Sequence, residues 1–292
     1  MIRRIAAGLG ALVLILLFCA QALALPEADD LIEVAFVMLE KENPFIPRFE
    51  ARSGRTVEVL FEQGMPYMFG GKHSAGMTNL WPDYQPRLCR QGSDYFKEGN
   101  YYLFGMDCSG YTNYINKFAH RRLHDTLGKM MMNEEYAANR ICESAEGKEM
   151  PAWAEMKDCL EVGDFLLLHD KGSRYRHILM YIGTMRDFGY TAEDEPALAE
   201  YLDYPLVIHC GLSPVYGERM QRVIDSKPEI YHRCTTTDGG VQISILGVDP
   251  EKAPEHVTVQ GNDFDYFTMN DKGYVLTVVR MRDEYCWFRL YV

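Results

Sequence analysis

Past residue 24 the chain holds no apolar run long enough to cross a bilayer, so once a leader is removed no stable membrane insertion is expected. Clusters of lysine or arginine are missing too. Thirty basic side chains stand against 42 acidic ones for a net charge of −12, which argues against nucleic acid as a partner and against electrostatic adhesion to anionic wall polymers. No C-x-x-C pair appears, so no zinc site is expected, and nothing calls for another metal or an organic cofactor. Internal repeats and a flexible linker are absent as well, so the chain reads as one domain, with its oligomeric state left open.

The start of the chain is a different matter. Met1-Ile2-Arg3-Arg4 followed by apolar residues to Phe18 has the make-up of a secretory leader, and Ala22-Leu23-Ala24 offers a small-x-small cleavage site. The competing readings are an uncleaved anchor and a lipoprotein site at Cys19, where Phe18 occupies a position that normally holds a small residue. Taking 24 residues from 292 leaves 268, and losing Arg3 and Arg4 moves the charge from −12 to −14. Export to the cell envelope is the expectation. Seven cysteines stay in the mature chain, at 89, 108, 142, 159, 210, 234 and 286. Export permits disulfides without requiring them, so three bridges and six thiols around Cys108 are both open.

One cysteine has distinctive surroundings. In Gly105-Met106-Asp107-Cys108-Ser109-Gly110-Tyr111 an extended run gives way to Tyr111, Tyr114, Ile115 and Phe118, the three-and-four spacing of one helix face. Cys108 is therefore expected in the first helical turn, with Asp107 as cap, where backbone N–H groups favour a thiolate and can hold an oxyanion. Alone, the stretch would favour a buried structural cysteine. Two histidines change that. Arg176-His177-Ile178-Leu179-Met180-Tyr181-Ile182-Gly183 is an apolar strand led by His177, and Pro205-Leu206-Val207-Ile208-His209-Cys210 is another with His209 near its end. An imidazole leading a strand can take the thiol proton, and a second can orient the first. Strand alternation turns Cys210 away from whatever His209 faces, which makes it structural or bridged.

Together with Gly64-Met65-Pro66-Tyr67-Met68-Phe69-Gly70-Gly71 and Gly163-Asp164-Phe165-Leu166-Leu167-Leu168, these motifs resemble, in order and content, the NlpC/P60 cysteine peptidases. The resemblance covers roughly residues 55–215 and implies an α+β, papain-like fold with helices packed on a central antiparallel sheet. It implies Cys108 as nucleophile, His177 as proton carrier and His209 as its orienting partner, with Tyr67, Asp107 and Ser109 lining the substrate cleft. It also implies a peptidoglycan stem peptide as substrate, cut between D-glutamate and the following diamino acid. A wall amidase or an acyltransferase with the same centre, and an inactive wall-binding scaffold, are the alternatives.

Along the rest of the chain, a helix is expected from Ala28 to Leu39, ended by Asn43-Pro44, then a loop at Pro47 and a segment through Val57 and Phe61. Residues 76–101 form an aromatic insertion with Trp81 and Tyr84, read either as a lid over the cleft or as a packed excursion. Helices are expected at Met130–Ile141 and, capped by Thr191, up to Leu202. His169 should stand at a hairpin edge and Asp238-Gly239-Gly240 in a turn. Asp263 and Asp265 read as turn residues. Strands at Val241–Ile245, Tyr274–Val279 and Trp287–Val292 form a C-terminal extension, residues 216–292.

Overall fold

A computed structural model describes residues 27–71, 86–91, 97–103, 105–120, 127–145, 153–171, 176–235, 238–247, 255–259, 261–269 and 273–290. The expected leader, Trp81, Tyr84 and most of the insertion around them lie outside the described residues.

The chain opens with α1 (Ala28–Phe36) and α2 (Phe45–Ser53). The second corrects the expected loop. Pro47 sits in the first turn of α2, where a missing N–H costs nothing, and Asn43 launches the helix by accepting from the Phe45 N–H at 3.1 Å. After β1 (Pro86–Leu88) and β2 (Tyr101–Leu103) comes α3 (Cys108–His120), then α4 (Leu127–Met132). The helix expected to run to Ile141 stops at Met132. Asn133 caps a 3-10 turn over Glu134–Asn139, and Arg140–Glu143 becomes β3 because it finds a strand partner.

Strands β4 (Phe165–His169), β5 (Arg176–Thr184) and β6 (Pro205–Leu212) form an antiparallel meander. The span between β5 and β6 folds as a Thr191–Asp194 hydrogen-bonded turn and a 3-10 helix at Pro196–Tyr201 rather than an α-helix. An unforeseen helix, α5 (Tyr216–Ser226), precedes β7 (Cys234–Thr235) and β8 (Gly239–Leu246). Gly239 and Gly240 thus start a strand. The chain finishes with β9 (Glu255–Val259), β10 (Asn262–Met269), β11 (Tyr274–Val279) and β12 (Glu284–Phe288), so Asp263 and Asp265 lie in a strand rather than a turn.

Nine of these strands make one sheet in the order β3-β12-β4-β5-β6-β8-β11-β10-β9, beside a small β1-β2-β7 sheet. The architecture is α+β as expected, with one correction: the sheet is mixed, because the β9–β10 excursion returns the chain so that β11 runs parallel to β8. Alternation along the strands feeds two cores. Leu167, Ile178, Met180, Ile208, Cys210 and Ile243 face the helices, whereas Leu166, Leu168, Leu179, Tyr181 and Val207 pack with Tyr285 and Trp287. On the helical face, Phe36 lies 5.4 Å from Phe49 and 5.9 Å from Phe188, and the buried Tyr111 hydroxyl donates to the Ala35 carbonyl at 2.8 Å. These contacts fix α1 beneath the start of α3.

Topology also sets curvature. In the sheet order, β11 and β12 are separated by β8, β6, β5 and β4. Five flat inter-strand steps would span about 24 Å. The connection from Val279 to Glu284 can reach only about 18 Å when fully extended. The sheet must therefore roll, and Met281 in this short strap packs against the second core as it crosses.

Candidate active site

Cys108 is the first residue of α3. Asp107 caps the helix as the sequence suggests: its Oδ1 accepts from the Gly110 N–H at 2.7 Å and from the Ser109 hydroxyl at 2.8 Å. The approach to the cap is fixed by main chain. Met106 N–H donates to the Pro66 carbonyl at 3.0 Å and Met68 N–H to the Met106 carbonyl at 2.9 Å, while Tyr67 N–H donates to Gly239 at 2.7 Å. Backbones come so close here that a Cβ on Gly105 would stand 2.3 Å from the Pro66 oxygen. The segment carrying Tyr67 is thereby clamped against the segment carrying Cys108.

The Cys108 thiol lies 3.7 Å from the carbonyl oxygen of Arg176, the residue just before His177. His177 Nε2 meets His209 Nδ1 at 3.0 Å, with the rings nearly perpendicular at 87° and their centroids 4.8 Å apart. Gly211 makes this possible. Continuing the Met180↔Ile208 pairing puts Gly211 opposite His177, and a Cβ there would lie 3.0 Å from His209 Nδ1 and 3.3 Å from His177 Cε1. Any side chain at 211 would occupy the space through which the two rings touch.

Behind His209 the contacts continue inward. Its Nε2 lies 2.8 Å from the Ser244 hydroxyl, Ser244 bonds Thr277, and Thr277 donates to Gln242 Oε1 at 3.3 Å. Gln242 Nε2 donates to the Leu212 carbonyl at 2.6 Å. Burial lowers the pKa of both imidazoles. His177 is brought to about 4 by desolvation first and the nearby Arg282 guanidinium second, against an opposing pull from Asp107. His209 falls well below its usual range through desolvation and the neighbouring ring. Both are therefore neutral near pH 7.

Tyr67, Asp107, Cys108, Ser109, His177 and His209 all line one cleft. Its far wall comes from the C-terminal strands, through Asp265 and Thr277, and the strap adds Arg280 and Arg282. Asp265 is held low in pKa, its burial outweighed by bonds to Arg280 and His256. Cys210, on the other strand face, is fully buried and donates its thiol to the Met106 carbonyl at 3.1 Å. All seven cysteines at 89, 108, 142, 159, 210, 234 and 286 stand as thiols. His169, at the end of β4, is engaged by Glu284.

Sequence reasoning missed Gly211, Gln242, Ser244, Thr277 and Arg282. The polar alternation Gln242-Ile243-Ser244 was the available signal for two of them, since a strand buried along its length admits polar side chains only where they find partners. Asp164 of the Gly-Asp motif also has an unforeseen partner: Arg289 grips both its oxygens at 2.8 Å.

Residues 64–193 match the model of the NlpC/P60 family, so the recognition drawn from the motifs stands. The match spans Tyr67, Asp107, Cys108, Ser109 and His177, while His209 and everything behind it lie beyond residue 193. No curated protein and no solved structure matches the chain.

Proposed function

With residues 64–193 taken as an NlpC/P60 segment, a family of cell-wall cysteine peptidases, we propose that this protein is an exported peptidase that hydrolyses peptidoglycan stem peptides between D-glutamate and the following diamino acid. The observation that carries the reading is one cleft lined by Cys108, His177 and His209, with the Cys108 thiol at the Arg176 carbonyl and His177 bonded to His209.

In the reaction we infer, His177 removes the Cys108 thiol proton and the sulfur attacks the amide carbon. The N–H groups at the start of α3 stabilise the oxyanion. As the tetrahedral species collapses, the C–N bond breaks, and His177 returns the proton to the departing amine. The thioester left on Cys108 is then attacked by water, which gives up a proton to His177; the C–S bond breaks, the acid leaves, and His177 returns that proton to the sulfur. Tyr67, Asp107 and Ser109 line the same cleft and supply its polar contacts to the peptide. The leader-like pattern of residues 1–24 supports export of this chemistry, with Leu25 as the first mature residue of the proposed form.

Digestion of purified peptidoglycan by the wild type and by Cys108→Ala tests the proposal, with fragments identified by mass. Wild type should release fragments ending in D-glutamate and the variant none. Peptides freed whole from the sugar would identify a wall amidase instead, and an undigested wall would refute hydrolysis.

A further inference from the structure

The hydrogen-bond chain behind His209 has a direction, and the direction fixes where the His177 proton sits. Its inner end is unambiguous. Gln242 can reach the Leu212 carbonyl only with its NH2, because two oxygens 2.6 Å apart with no proton between them would repel. Oε1 is therefore turned toward Thr277 and can only accept. Thr277 has one hydroxyl proton and gives it to Gln242, so it must accept from Ser244. Ser244 gives its own proton to Thr277 and so accepts from His209 Nε2–H. His209 is neutral, which leaves Nδ1 bare and able only to accept from His177 Nε2–H.

We propose that Gln242, Thr277 and Ser244 are positioning residues that impose the Nε2–H tautomer on His177, so that its Nδ1 lone pair is the base that meets the Cys108 thiol. The proposal deepens the peptidase reading and rests on it for its catalytic meaning. The tautomer itself is a property of the resting protein. Four strands contribute, β5, β6, β8 and β11, and all but His177 lie outside the family match. Ser244 and Thr277 are buried, so water does not readily replace a lost partner.

Removing a link frees the inner proton. Without the Ser244 oxygen, His209 gains nothing from Nε2–H and can carry its proton on Nδ1. It then donates to His177 Nε2, and the His177 proton moves to Nδ1, which points a donor where a base is needed. A misplaced imidazole proton of this kind costs up to about 10⁴-fold in rate in a serine protease triad, the upper bound here.

The test is ¹⁵N NMR of histidine-labelled protein near pH 7, with His177 assigned through His177→Gln, alongside kcat/KM on a stem peptide. Wild type should show neutral His177 protonated at Nε2. Ser244→Ala and Gln242→Met should each populate the Nδ1–H form and lower kcat by about tenfold or more with little change in KM, whereas Thr277→Ser, which keeps the hydroxyl, should keep His177 protonated at Nε2. Gln242→Met preserves shape and stands in if Ser244→Ala does not fold. An Nδ1–H His177 in the wild type, or an unchanged tautomer in both disrupting variants, overturns the proposal. The expected tautomers in a protein that leaves every stem peptide intact would sink the peptidase reading and leave the proton chain standing.

Discussion

Acidifying the protein with no substrate present reads the state of His177 as a stability. In an unfolded chain this histidine protonates near pH 6.5, whereas in the fold burial and Arg282 hold its pKa at about 4. Between those values the unfolded chain binds a proton that the folded one does not. The contribution is therefore complete above pH 6.5 and declines as the pH falls toward 4. About two and a half units at about 1.4 kcal/mol each give a loss of about 3 kcal/mol at the lower end. His209 is lowered by the same cause and adds in the same sense. Urea unfolding at pH 7, 6, 5 and 4.5 on the wild type and on His177→Gln would isolate the effect, because carboxylate protonation is common to both and cancels in the difference. The wild type should lose stability more steeply, with the gap opening below pH 6.5. Parallel curves would refute the reasoning, since they would mean that His177 protonates as readily folded as unfolded.

Arg282 depresses the same pKa, so Arg282→Gln should move the acid limb of the kcat/KM profile to higher pH, and an unmoved limb would place the guanidinium too far away to matter. Gly211→Ala should keep the fold at a cost of about 1–3 kcal/mol by thermal unfolding, yet cut kcat by about tenfold or more, as the new methyl parts the two rings. Arg289→Met leaves the buried Asp164 carboxylate without its twofold partner and should cost about 3–5 kcal/mol in denaturant unfolding. Iodoacetamide near pH 7 should label Cys108 faster than Cys210, whose thiol is buried and pushed up in pKa, as peptide mapping would show.

What could be read in the residues was whatever depended on local pattern. The helix beginning at Cys108, its Asp107 cap, the His177 strand and the His209 strand follow from period and motif, because each is decided within about ten residues. Local rules also misled where partners were distant. Residues 140–143 carry a helical neighbourhood but become a strand because β12 lies alongside, and Pro47 suggested a break where it only begins a helix. Asp263 looked like turn chemistry, and its place in β10 is set by pairing with β9. The inner half of the site was hidden for the same reason: His209, Ser244 and Thr277 are more than thirty positions apart in sequence and meet only through the strand order.

The strap between β11 and β12 acts as a leash. Its few residues cap how far the end of β11 can stand from the start of β12, so the roll of the sheet around the cleft is set by covalent bonds. Splicing extra residues between Val279 and Glu284 would let the sheet unroll toward its ends, while the ladder from β5 to β11 still holds Thr277 behind His209.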